Sequence, residues 1–160
     1  MSCADCGCTV IRAHRLRACA TDECCCTGLP LWTTATLAAE VRRAMESSDL
    51  TTMASLLAPD ARWGAPEQDV PTCRNAQQVL SWYELARDNG MRAEITDVVV
   101  IDERIVVGLH VRSATDISSH TADSVRWQVL SVEDGRIAEI RGYESRDEAT
   151  AFATHGLSNW

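Results

Sequence analysis

From residue 34 onward the spacing of hydrophobic positions changes once from a helical to a strand period, and that change orders the chain. Leu37, Val41 and Met45 recur at i, i+4 and i+8, one stripe of an amphipathic helix ending near Ser47, with Thr33 or Thr34 as its cap. Asp49 can cap a short second helix that presents Leu50, Met53, Leu56 and Leu57, and Pro59 closes it. Ala61-Arg62-Trp63 reads as a short strand before a loop containing Pro66 and Pro71. Asn75 and Gln78 have the form of a capping box; Val79, Tyr83 and Ala86 share a stripe behind it, and Gly90 supplies a C-terminal stop. The period then drops to two, predicting strands over about 92–101, 104–112, 124–132 and 136–143. The last two meet at Asp134-Gly135, a strong hairpin signal. A short closing helix is expected over 146–154. Helices first and strands afterwards predict an α+β domain, with three N-terminal helices packed on one side of a curved antiparallel sheet.

Residues 1–33 show neither period. Seven of the eight cysteines lie there, so the segment reads as a cysteine-rich flexible tail preceding a domain over 34–160. Thiolates at this density suit soft ions, and Cys3 and Cys6 with Cys24 and Cys25 could converge on Zn²⁺ or Cu(I). The spacing matches no standard zinc finger or ribbon. A tail without a fixed role, a soft-metal or redox-responsive segment and a misassigned start all remain open. Cys73 stands alone and reads as a packing residue. No cofactor is expected for the domain itself.

The net charge of −8 argues against nucleic acid and anionic membrane as partners. No apolar run approaches the roughly 20 residues of a membrane span, and charged residues interrupt the N-terminal segment where a signal peptide would be apolar. A cytoplasmic location is the expectation. No Ser-His-Asp ordering, HExxH or phosphate-cradling glycine loop is present.

Two local patterns carry a resemblance. Leu56-Leu57-Ala58-Pro59-Asp60-Ala61-Arg62-Trp63 resembles the entry into the first strand of SnoaL-like (polyketide cyclase-like) proteins of the nuclear transport factor 2-like superfamily. Val129-x-x-Val132-Glu133-Asp134-Gly135-Arg136-Ile137-x-Glu139 resembles their hairpin. The order of elements over residues 34–154 agrees. This resemblance implies a cone-shaped α+β fold whose sheet wraps around a pocket, usually in a homodimer, with a small-molecule ligand in the cone. In the cyclases an aspartate in that pocket shuttles a proton beside a substrate carbonyl. Aligning the hairpin places Gln128 at that position, and an amide has no titratable proton near neutral pH.

His110, within the strand 104–112, is the candidate general base, or else a histidine satisfied by a neighbouring carboxylate or a dimer contact. Gln128 and Tyr143 are candidate orienting groups. Trp63, Arg74, Tyr83 and Trp127 are candidate ligand-binding residues: Trp63 as an apolar wall with an N–H, or as plain core, and Arg74 as a clamp for an anionic group, or as a surface ion pair. Alternation places Ile105, Val107, Leu109 and Val111 on one face of their strand and Val106, Gly108, His110 and Arg112 on the other, and leaves either face open as the concave one. Ile137, Glu139, Arg141 and Tyr143 are expected to share a face, where Glu139 and Arg141 can pair. The functional expectation is a protein that binds a small, largely apolar carbonyl-bearing molecule, with proton-transfer catalysis (isomerase, cyclase or dehydratase type) as the further step. The alternative is a non-catalytic binding or assembly module with a metal- or redox-responsive tail.

Overall fold

The computed structural model describes residues 33–113, 122–156 and 160. Three helices come first: α1 (Thr34–Ser47), α2 (Leu50–Leu56) and, after strand β1 (Leu57–Gly64), α3 (Ala76–Asp88). A meander follows, formed by β2 (Arg92–Ile101), β3 (Arg104–Ser113), β4 (Ala122–Glu133) and β5 (Arg136–Tyr143). Helix α4 (Arg146–His155) closes the domain.

Each helix start is fixed by a side chain that satisfies an otherwise orphaned backbone N–H. Thr33 Oγ1 accepts from Thr36 N, Asp49 Oδ1 from Thr52 N, Asn75 Oδ1 from Gln78 N and Ser145 Oγ from Glu148 N. The Gln78 side chain reaches back to the N–H of Arg74, one residue before the cap, completing the reciprocal pair. The hairpin turn has positive φ at both Asp134 and Gly135, as a tight two-residue turn between twisted strands requires.

The strands form one curved, unclosed sheet in the order β1-β5-β4-β3-β2. The meander is antiparallel as expected, but β1 lies parallel to β5, so the sheet is mixed. β1 is also longer than the expected three residues and starts directly where α2 stops. Pro59 therefore sits inside an edge strand, beside the register shift between Leu57 and Arg62, where a missing N–H is tolerated.

The helices cover one face. Leu37 and Val41 of α1, Leu56 of α2 and Val79 of α3 pack against Ile105, Val107, Leu109, Leu130 and Ile140 of the sheet. A register shift at Ser131/Val132 breaks the expected alternation in β5: Ile137 joins this helix-facing core, away from Glu139 and Arg141. On the opposite face α4 covers a smaller cluster of Val106, Val129, Tyr143, Ala149 and Ala153. Among the described residues no helix is long and apolar enough to cross a membrane.

Candidate functional site

The sheet and the three N-terminal helices splay apart at one end, where β1, β3 and β5 finish and β2 and β4 begin. The cleft between them has a volume of about 1120 Å³, ample for a small ring system. Its walls are mostly apolar: Met45 from α1, Met53 from α2, Trp63 from β1, Trp82 and Ala86 from α3, and Leu109 and Val111 from β3. Trp63 and Trp82 stack with centroids 4.4 Å apart at 32°, and Tyr83 meets Trp82 edge-on at 5.7 Å. These three rings make a continuous aromatic wall. It arises because the α3 stripe faces the end of β1, which is held in place by a backbone bridge between Trp63 and Cys73.

Polar groups are few within this lining. Gln128 comes from β4, is 8% exposed, and accepts a long hydrogen bond from the Tyr83 hydroxyl at 3.5 Å. Its amide N–H groups are left for another acceptor. The Trp63 Nε1–H is buried and has no hydrogen-bond partner among the described residues. Burial pushes the Tyr83 phenol up to about 12, against the smaller opposing effect of its hydrogen bond to Gln128. Burial also pushes the Tyr143 phenol up to about 12, with Arg141 pulling the other way. At neutral pH both phenols are protonated donors, not bases.

Charge is confined to the rim. Asp49, Glu67, Arg92, Arg126, Glu144 and Glu148 are exposed, and Arg87 is half-buried. The arginines here have local partners: Arg126 pairs with Glu144 at 2.9 Å, Arg87 with Asp88 at 3.5 Å, and Arg92 Nη1 donates to the carbonyls of Arg87 and Met91. A rim of mixed sign with satisfied cations gives no strong hold on an anionic ligand.

Of the residues singled out from the sequence, Trp63, Tyr83, Trp127, Gln128 and Tyr143 line the cleft. Trp127 lies across Gly108, where any Cβ would come within 2.8 Å of the indole. Tyr143 packs mainly under α4, 5.8 Å from the Phe152 ring. His110 and Arg74 are elsewhere. Leu109 and Val111 face the helices, so strand alternation turns His110 to the opposite face, where its Nδ1 lies 3.9 Å from Glu94 Oε2. The imidazole is not among the residues that line the cleft. Arg74 is exposed just before the cap of α3 and lies outside the lining. Trp82, Met45 and Met53 belong to the site and were legible only as core stripes. Cys73 is buried in the core. Cys3, Cys6, Cys24 and Cys25 lie outside the described residues. Among the described residues no cluster of His, Cys, Asp or Glu could hold a metal ion.

The tyrosines have a consequence at alkaline pH. The chain has two tyrosines and no lysine, so among the described residues the shielded groups left to titrate between pH 10 and 12 are Tyr83, Tyr143 and the Cys73 thiol, which burial also pushes up. The unfolded phenols ionise near 10 while the folded ones keep their protons, so the unfolded state binds fewer protons and stability falls as pH rises. The steepest slope is about 1.4 kcal/mol per pH unit for each fully buried phenol, and less for half-buried Tyr83. Urea midpoints at pH 9 and 11 should fall less in Tyr143→Phe than in the wild type. Equal falls would show that the phenol is not shielded as described.

Solved structures share the architecture. An uncharacterised cystatin-fold protein from Novosphingobium aromaticivorans is 19% identical, with 69% of this chain and 97% of that chain covered at a TM-score of 0.60. TerC, co-crystallised with polyporic acid, is 15% identical (75% and 97% covered, TM-score 0.56). An epoxide hydrolase of the LEH-like type from M. tuberculosis is 14% identical (73% and 86% covered, TM-score 0.55). At these identities the likeness establishes the fold alone. No curated protein matches the sequence. The SnoaL-like domain family matches residues 38–140, most of the helix-and-sheet body just described, and the chain belongs to that family.

Proposed function

We propose that this protein binds a small, neutral, largely apolar ring compound bearing a carbonyl, and that it holds the compound without transferring a proton. One observation carries the reading: the interior of the cleft presents the neutral Gln128 amide beside an aromatic wall, and its charged residues are confined to the rim. With its oxygen taken by Tyr83, the Gln128 amide has N–H groups to offer an acceptor in the cleft, a bond worth about 1 kcal/mol net. A ligand carbonyl would supply that acceptor while its rings lie against Trp63 and Trp82. Proton transfer beside that carbonyl would need a group that titrates near neutral pH, and the interior offers the protonated Tyr83 phenol and an amide. A related fold that was co-crystallised with polyporic acid is compatible with a ligand-holding role.

The test uses 9-fluorenone and fluorene, ring systems of the same shape with and without the carbonyl, titrated against tryptophan fluorescence. Fluorenone should bind at least about fivefold more tightly, the worth of roughly one net hydrogen bond. Gln128→Leu should erase most of that preference. Equal affinities, or no binding of either compound, would defeat the reading. β-Tetralone in D₂O separates binder from enzyme: protein-dependent deuterium uptake at its α-carbon would show proton transfer and overturn the non-catalytic half of the proposal.

A further inference from the structure

Trp160 contacts parts of the fold far from it in sequence. Its ring centroid lies 4.1 Å from the Arg141 guanidinium carbon, its Nε1–H donates to the Gln68 carbonyl at 2.8 Å, and its own carbonyl accepts from Arg62 Nη1 at 2.6 Å. The indole fits because residue 64 is glycine. A Cβ there would stand 3.0 Å from Trp160 Cη2, 2.8 Å from Gln68 Oε1 and 3.2 Å from Thr72 N. Gly64 and Arg141 are paired across β1 and β5, so the indole sits over two strands at once.

Gln68 also organises the loop between β1 and α3. Its Oε1 accepts from Ala65 N at 3.1 Å and from Thr72 Oγ1 at 3.0 Å, closing residues 65–72 on themselves. Ala65, Pro66 and Glu67 of the same loop form part of the cleft rim. The rim is thus tied through Gln68 to an indole that is itself anchored on Arg141 and Arg62.

We propose that Trp160 is a latch: its docking over Gly64 and Arg141 fixes the 65–72 loop and so sets the shape of the cleft rim. Stacking on Arg141 holds the indole, while the single N–H bond to Gln68 holds the loop. The two functions can therefore be separated by substitution. The latch is a property of the protein alone and does not depend on which ligand the cleft takes.

Hydrogen exchange of the full-length protein without ligand tests it, read by mass spectrometry on peptides covering 65–72 and, as an internal reference, β3. In Trp160→Ala the loop should exchange about tenfold faster, the expected scale for losing one hydrogen bond and a stacked ring, while β3 is unchanged. Trp160→Phe keeps a ring on Arg141 and lacks the donor, so it should retain the wild-type melting temperature yet show the faster loop. Gly64→Ala would crowd Gln68 and Thr72 of the loop as well as the indole, so Trp160→Phe is the variant that isolates the latch. If Trp160→Ala does not fold, Trp160→Phe carries the test. Wild-type loop exchange in Trp160→Phe, or acceleration shared equally by β3, would overturn the latch.

Discussion

Arg141→Ala is expected to destabilise the domain by about 3–5 kcal/mol, the usual consequence of removing one member of a buried ion pair. Arg141 is 3% exposed and Glu139 is 2% exposed; the Arg141 Nε donates to Glu139 Oε1. Phe152 and Trp160 both approach the guanidinium, with ring centroids 4.9 and 4.1 Å from its central carbon, so the pair is shielded by aromatic carbon and not by water. Without Arg141 the carboxylate would lose its nearest cation and keep the more distant Arg62, whose Nη2 lies 3.6 Å from Oε2. A domain of this size has about 5–15 kcal/mol of stability in all, so the melting temperature should fall by on the order of 10 °C or more. The double replacement Glu139→Leu with Arg141→Met removes both charges and should recover most of the loss, because the pair itself need not be better than matched apolar side chains. A single variant within about 1 kcal/mol of wild type by urea unfolding would contradict this account of the outer face.

That face shows where sequence patterning stops being informative. Along β3 the alternation was legible to the residue, and the four apolar positions Ile105, Val107, Leu109 and Val111 do form the helix-facing side. Three amphipathic helices need an apolar sheet face to pack on, and that requirement alone could have assigned His110 to the other side. In β5 strict alternation misplaced Ile137, because the register shift opposite Ser131 and Val132 changes which residues share a side, and no local residue type announces a bulge there. The parallel pairing of β1 with β5 was equally hidden, since it joins segments far apart in sequence.

The strand bounds were read well where turns carry their own chemistry. Asp134-Gly135 and the positive-φ Asp102 fix the ends of β5 and β2 at Arg136 and Ile101. The α2-to-β1 junction was less legible: Leu56 and Leu57 look alike in composition, yet one ends a helix and the other begins a strand. For the site, Gln128 and Trp63 carried a sequence signal through their places in the hairpin and the first strand. Trp82 reads as one more apolar residue on α3 until its partner ring is known. Trp160 follows no period at all, and only a tertiary contact reveals it.

Gln128→Glu should create a pH dependence that the wild-type cleft lacks. The change is nearly isosteric, so the side chain stays between Val107 and Gly142 on neighbouring strands and within reach of the Tyr83 hydroxyl. One donor cannot solvate a carboxylate, and the aromatic wall offers no cation in the interior, so burial should raise the glutamic acid's folded pKa above its unfolded value of about 4.3. With the folded pKa raised, the variant keeps its stability below the unfolded pKa and loses it as pH rises through the folded one. Measured as the difference from wild type, the penalty should be small at pH 4 and reach about 2 kcal/mol or more by pH 8, the scale of an inadequately solvated buried polar group. Affinity for 9-fluorenone should follow the same curve: a protonated acid can still donate to the ketone, whereas a carboxylate presents only acceptors to an acceptor. The amide escapes both effects because its donors persist at every pH. A penalty that stays constant from pH 4 to 8 would mean that water or an unrecognised cation reaches Gln128, and the neutral, donor-lined interior on which the ligand assignment rests would have to be abandoned.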